Sequence, residues 1–298
     1  MSEFAALMVL VAATLWGSSG LFVNVLTAAG LTGIQMTTVR LCVVFAVTLL
    51  LILFTDREKL RIAPRDLIWF ALNGLAGIFL FSLCYTYTIQ LTSMATAAVL
   101  LYLMPSIVML FCVLVKHEPF TARKGFCLLL SFAGCALVSG AGSGMAISAQ
   151  GLVFGLISAV LYASYSLLVS GPLRQYHPLT CTLYTFLFAA VFALTYAIPF
   201  GDMAGAVRIF AAQPQMLAVN LLLGVLCSTV TYLLYSTALQ YMPASSASIL
   251  ATFEPVAAAL LGFLLLHEPL TAFSLAGIAC ELAALILLRL PQHTSKKA

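Results

Sequence analysis

The apolar positions of this chain do not alternate like a half-buried strand, nor do they form the one-sided stripe of a helix resting on a soluble core. They run on continuously: LCVVFAVTLLLILF (41 to 54) and AALLGFLLL (258 to 266) contain no charged residue. Comparable runs cover roughly residues 4 to 26, 33 to 54, 67 to 89, 94 to 115, 123 to 140, 150 to 170, 179 to 200, 215 to 238, 245 to 266 and 272 to 290. A bilayer core about 30 Å thick is crossed by about 20 residues rising 1.5 Å each. The pattern therefore predicts ten transmembrane helices and an all-α integral membrane fold. A lipid-facing barrel would instead show strands of about ten residues alternating polar and apolar. Helices satisfy their own backbone groups, which hydrocarbon cannot do.

Composition removes the soluble alternative. The 298 residues include 13 Lys or Arg and 9 Asp or Glu, so 7% are charged against 63% hydrophobic, whereas a soluble domain has roughly a quarter charged. A net charge of +4 without a basic stripe also excludes a nucleic-acid partner. MSEF, at the start, has no basic n-region, so the first helix is expected to stay rather than be cleaved as a signal. The eight cysteines (42, 84, 112, 127, 135, 181, 227 and 280) all fall in proposed spans without CxxC or zinc spacing, and read as small buried hydrophobes. Neither a metal nor a cofactor is expected.

The basic residues set an orientation. Arg57, Lys59, Arg61, Arg65, Lys116, Arg123, Lys124, Arg174, Arg289, Lys296 and Lys297 lie on one side of the ten spans, Arg208 lies alone on the other, and Arg40 lies within a span. Under the positive-inside rule this puts both termini in the cytoplasm of a bacterial-type plasma (inner) membrane.

The chain also repeats itself. A shift of 150 residues places Tyr85 on Tyr235, Gln90 on Gln240, Pro105 on Pro255 and His117-Glu118-Pro119 on His267-Glu268-Pro269, with 12 identities in the 38 positions from 85 to 122. The expected organisation is a first five-helix repeat (1–140), a short Gly/Ser-rich connection (141–149, at the end of the SGAGSG stretch) and a second repeat with a basic tail (150–298). Five helices is an odd number, so the second half runs inverted, a plan common among secondary transporters whose site lies between the halves near the midplane. Pro105 and Pro255 lie within spans, where each removes a backbone donor; they are expected to act as paired kinks or hinges.

Three charges fall inside spans: Arg40, Glu254 and Glu281. Each costs about 2.5–3.5 kcal/mol at the bilayer centre and needs a partner or a wet cavity. An ion pair from Arg40 to one of the acids is expected at matched depth, and Glu254, just before Pro255, is the candidate to exchange a proton. Polar and aromatic side chains share faces at helical spacing: Ser228, Tyr232 and Tyr235; Tyr162 and Tyr165; Ser245, Ser248 and Thr252; and Trp16 with Ser18 and Ser19. Buried tyrosine hydroxyls need partners, so these faces are candidates to line a cavity. In the HEP repeats, Pro119 and Pro269 fit a first helical position and Glu118 and Glu268 fit a helix N-terminus, which makes them structural caps. They are not HExxH zinc motifs.

Taken in order, LWGSSGLFV (15 to 23), Arg40, AAVLLYLMP (97 to 105) with HEPFT (117 to 121), and ASILATFEP (247 to 255) with HEPLT (267 to 271) resemble the EamA-type members of the drug/metabolite transporter superfamily, over essentially the whole chain. The resemblance implies a basket of helices one to four and six to nine around a central cavity, with helices five and ten peripheral. It also implies transport of small metabolites, often amino acid export. Members that export aromatic and neutral amino acids are similar around helices three, four and six; by position Tyr85, Tyr102, Met104 and Tyr162 resemble their cavity lining, Met104 standing where some have tryptophan.

The expected function is a secondary transporter moving a small neutral or zwitterionic metabolite by alternating access. Its partners would be that substrate, the lipid bilayer and protons, and it would be a monomer or homodimer. A cationic-drug exporter and a channel are the alternatives. An enzyme is not expected, since GxSxG, HExxH and an intramembrane His are all missing from the sequence.

Overall fold

A computed structural model describes residues 2–92, 94–118, 120–138, 148–266 and 270–289. The described residues form helices and connecting turns with no strand. Eight helices are long and apolar enough to cross a membrane: α1 (Glu3–Ala28), α2 (Gly33–Thr55), α3 (Pro64–Leu91), α4 (Thr96–Leu114), α6 (Ala149–Arg174), α7 (Pro178–Phe200), α9 (Pro214–Ala238) and α10 (Ala244–Leu265). Shorter helices are α5 (Ala122–Val138), α8 (Met203–Ala212) and α11 (Ala272–Leu288). The runs expected at 123–140 and 272–290 are thus α5 and α11, at 17 residues each. The amphipathic α8, between the seventh and eighth expected spans, was not anticipated.

Local chemistry starts several of these helices. Thr32 and Gln35 form a capping box on α2: the Gln35 N–H donates to Thr32 Oγ1 (3.3 Å) and the Thr32 N–H to Gln35 Oε1 (2.9 Å). Gln35 Nε2 then donates to the Asp202 carbonyl (2.8 Å), fastening α2 to the start of α8. At the opposite, basic end, the loop after α2 is held by the α6–α7 connection. The Tyr176 hydroxyl donates to Asp66 (2.6 Å), the Thr180 hydroxyl to the Lys59 carbonyl (2.8 Å) and the Tyr184 hydroxyl to the Leu60 carbonyl (2.6 Å). The carboxylate bond stabilises the neutral phenol, so Tyr176 titrates above its ordinary range.

The threonines that follow the HEP segments start the next helices. Helices α5 and α11 begin at Ala122 and Ala272, after threonines whose hydroxyls accept the N–H of Lys124 (3.3 Å) and Ser274 (3.1 Å). Thr121 and Thr271 are therefore the caps. Glu118 accepts from the Ser245 hydroxyl (2.7 Å) and pairs with Lys124 (3.7 Å), a link to the N-terminal turn of α10. Pro119, His267, Glu268, Pro269, the SGAGSG connection and Lys296 and Lys297 lie outside the described residues.

Several spans expected to be continuous are interrupted inside the bundle, and the interruptions repeat at the same interval as the sequence. α4 breaks at Tyr102–Leu103 and α10 at Thr252–Phe253, each just before its proline. In α3 the turns widen to π-helix over Asn73–Leu80, and in α9 over Val225–Val230, ending 150 residues apart. Around these discontinuities the halves interleave: α1 packs on α9 and α10, α2 on α7, and α3 on α6 and α7. The shared core holds Trp16, Phe70, Tyr165, Phe186, Tyr235 and Leu250.

Helices α5 and α11 pack chiefly on each other, at a crossing that only glycine permits. A Cβ at Gly134 would sit 2.9 Å from the Gly277 carbonyl oxygen, and one at Gly277 would sit 2.7 Å from that of Gly134. Gly277→Val is expected to cost about 1–3 kcal/mol by overpacking, read as a lower Tm in detergent. Leu129→Ile, on the exposed face of the same pair, is expected to leave Tm unchanged.

Candidate functional site

The aromatic residues of the predicted set divide into two groups. Tyr165 and Tyr235 are buried, and each hydroxyl bonds to the serine beside the other's helix position: Tyr165 with Ser236 (2.9 Å) and Tyr235 with Ser166 (2.9 Å). This double clasp joins α6 to α9 and leaves neither phenol free. Their placement differs from the cavity lining expected from spacing, because the same 3.6-residue period serves helix packing equally well. Met104 and Thr252 are likewise in the wall: Met104 packs with Val108, Cys112 and Ala163, and the Thr252 hydroxyl bonds to the Ile249 carbonyl and to Glu281.

Tyr85, Tyr102, Tyr162 and Tyr232 form the second group. All four lie deep in the bundle with part of their surface uncovered, and their hydroxyls make no hydrogen bond to the described residues. The Glu254 carboxylate has the same character, partly uncovered and without a donor or ion-pair partner, and it is within electrostatic range of all four. Arg40 is within electrostatic range of Tyr232. The ion pair expected between Arg40 and an acid does not form among the described residues. Isolated polar groups inside an apolar body cost several kcal/mol unless water or a ligand meets them. Four phenols and one carboxyl group are thus left without a protein hydrogen-bond partner among the described residues in the interior of the bundle.

Aromatic contacts fix the walls. Trp16, nearly buried, meets Tyr232 edge-on with centroids 5.6 Å apart, and Tyr232 is braced from behind by Tyr165 (4.9 Å) and Phe186 (4.9 Å). Tyr162 stacks on Phe81 at 4.5 Å and 15°, and Phe81 continues to Tyr85 at 6.0 Å. Phe81 was not singled out in the sequence, where it is one of 20 phenylalanines. Gly17 sets the floor: a Cβ there would lie 2.6 Å from the Glu254 carbonyl oxygen, so α1 touches α10 at the residue that carries the acid. Pro105 and Pro255 are buried in the first turn after each break. Two buried amides, Asn73 and Asn220, have no side-chain partner among the described residues. Nothing in their sequence neighbourhood separates them from ordinary asparagines.

The two ends of the bundle differ. At the basic end, clefts of about 690 Å³ and 620 Å³ share Lys116, Ser170 and Arg174. At the other, the space among Ile34, Thr38, Phe79 and Tyr196 is about 10 Å³, and the Tyr196 hydroxyl is bonded to that of Tyr87 at 2.9 Å.

The division of the tyrosines is testable on stability alone. Tyr165→Phe and Tyr235→Phe are each expected to cost about 1 kcal/mol, since each strands a buried serine. Tyr162→Phe and Tyr232→Phe break no protein hydrogen bond and are expected to leave Tm unchanged in a thermal-unfolding measurement.

The comparisons with known proteins agree with this architecture. The model of the EamA-like transporter family matches the chain twice, over residues 3–140 and 149–290. An uncharacterised inner membrane transporter of Salmonella typhimurium, YicL, is 27% identical over 97% of this chain and 96% of its own. An uncharacterised transporter of Archaeoglobus fulgidus is 30% identical over 72% of this chain and 75% of its own. A crystal structure only 18% identical shares the fold, with a TM-score of 0.80 over 96% of both chains. With both halves matched, this chain belongs to the EamA-like transporter family and is a multi-pass membrane transporter.

Proposed function

We propose that the protein is a secondary transporter that carries a small zwitterionic metabolite, of amino acid type, through the cavity between α1, α3, α4, α6, α9 and α10. The observation that supports this reading is that Arg40 and Glu254, opposite in charge and without an ion-pair partner among the described residues, both lie within electrostatic range of Tyr232. An amino acid brings an ammonium for Glu254 and a carboxylate for Arg40, so both intramembrane charges are met at once. The four free phenols supply hydrogen bonds and ring faces for the remainder. A purely cationic drug would satisfy Glu254 and the rings but leave Arg40 facing a like charge; a phosphate-rich substrate would reverse the problem.

Transport then follows from the paired discontinuities. Tyr102–Leu103 before Pro105 and Thr252–Phe253 before Pro255 are the hinges about which two inverted halves rock, and α5 and α11 complete ten spans. With both termini cytoplasmic, the open clefts face the cytoplasm and the bonded Tyr87–Tyr196 end faces out, an inward-open state. Export would load substrate here and close the basic end. Glu254 changes its proton as it changes sides, coupling movement to the pH gradient.

Thermal shift of the purified protein against amino acids, nucleobases and cationic drugs tests the substrate class, since only a ligand of the folded state raises Tm. A neutral amino acid is expected to raise it, and Tyr162→Ala to weaken that binding about tenfold, the worth of roughly 1.4 kcal/mol. Stabilisation by cations alone would overturn the zwitterion reading. In proteoliposomes, substrate on the far side is expected to accelerate exchange, which a channel would not show. Glu254→Gln is expected to abolish dependence on the pH gradient; a fully retained dependence would remove Glu254 as the proton carrier.

A further inference from the structure

The second buried acid, Glu281, belongs to a different site. It is fully enclosed between α11, α5 and the break in α10, and no described Lys, Arg or His side chain pairs with it. Its neighbours are three hydroxyl or thiol groups. The Ser131 hydroxyl lies 3.3 Å from Oε1, the Thr252 hydroxyl 2.5 Å from Oε1, and the Cys135 thiol 3.8 Å from Oε2. Two of these groups have a second acceptor: the Thr252 hydroxyl touches the Ile249 carbonyl oxygen, and the Cys135 thiol is 3.5 Å from the Thr252 carbonyl oxygen.

Counting hydrogens decides among the possible states. Ser131, Thr252 and Cys135 carry one side-chain hydrogen each, three in all, to serve five contacts. An ionised Glu281 donates nothing. The Thr252 hydrogen must then turn to the carboxylate and leave Ile249, or stay on Ile249 and set two bare oxygens 2.5 Å apart. A proton on Oε1 removes the conflict. Glu281 donates to Thr252 Oγ1, Thr252 donates to the Ile249 carbonyl, Cys135 donates to its nearer acceptor, the Thr252 carbonyl, and Ser131 donates to Glu281.

We propose that Glu281 is a proton-binding site separate from the cavity, occupied in this conformation, and that its proton latches the break in α10 through Thr252. Thr252 stands two residues before Glu254, so the latch fixes the segment that presents the cavity acid. Ser131 and Glu281 are themselves 150 residues apart, so the repeats meet here at equivalent positions. Other titratable groups on the packed elements are accounted for. Arg123 and Lys124 lie about two turns along α5 toward the basic end, where Lys124 pairs with Glu118. Cys127 is on the same helix, Cys280 is the neighbour on α11, Arg289 lies about two turns further along that helix, and Glu254 and Tyr102 are within electrostatic range of Cys135. None of them supplies a positive charge to Glu281.

The test is the infrared spectrum of the full chain in lipid nanodiscs at about pH 7, where an ordinary glutamate with a pKa near about 4.3 is ionised. Wild type and E254Q are expected to show the C=O stretch of an un-ionised carboxylic acid, and the double variant E254Q/E281Q to lose it. T252V in the E254Q background, which keeps the acid but removes its acceptor, is expected to move the band to higher frequency, and serves alone if E254Q/E281Q does not fold. Hydrogen exchange of residues 249–257 is expected to be about tenfold faster in T252V than in wild type, the effect of one lost hydrogen bond. An acid band missing from E254Q, one that survives in E254Q/E281Q, one unmoved by T252V, or equal exchange would overturn the proposal. These readings need no transported substrate, so they stand or fall separately from the proteoliposome assays.

Discussion

Hydrocarbon offers no hydrogen bonds, and most of this molecule follows from that. A backbone interrupted in lipid must find its partners inside the protein. Each interruption here is accordingly tied to the packed interior: the π-helical stretch of α3 lies against α6 and α7, that of α9 against α2, and the break of α10 against Glu281 and Cys135. The same constraint sorts the charges. Of 22, all but three lie at helix ends and connections, where water or an opposite charge is within reach. The three inside are left to be met by the protein itself or by what it binds.

Duplication builds the frame, and the differences between the halves supply the chemistry. Segments starting at Phe81, Met94, Met104 and Ala122 recur at Thr231, Ala244, Glu254 and Ala272, all offset by 150. At that interval Met104 answers to Glu254, Tyr102 to Thr252 and Ser131 to Glu281. Both intramembrane acids thus occupy places where the first half has an uncharged side chain. A symmetric pair of acids would repel across the interface, whereas one acid per position can be neutralised singly.

Much of this was legible in the sequence because lipid enforces simple rules. Apolar run length gave the helices, the paired prolines gave the two breaks to within three residues, and the three intramembrane charges were visible as exceptions. The π-helical turns were not legible, since widening a turn changes backbone pairing without requiring any residue type. Nor was the division of the tyrosines. Tyr162 and Tyr165 are three apart on α6, yet one stacks on Phe81 at the cavity and the other bonds Ser236 in the core. Periodicity says which residues share a face, and only the neighbour decides whether that face is wet. The HEP motif misled for a related reason: its proline and acid match the statistics of a helix start, but the threonine two residues later makes the hydrogen bond.

The two acids illustrate how far environment separates identical side chains. Glu254 is only partly covered, has no protein donor among the described residues and lies within electrostatic range of four unbonded phenols, so in the proposed cavity a ligand would govern its charge. Glu281 is enclosed, and its hydrogen-bond partners are fixed by helices that must slide or part before any of them changes. On the proposed reading, substrate acts on the first directly and on the second only by moving α10. Because Thr252, Phe253 and Glu254 are consecutive, a displacement of the break large enough to carry Glu254 across the cavity must also draw Thr252 from Glu281. Cavity and latch are thus two readings of one backbone motion, with Gly17 at the contact where α1 would have to yield.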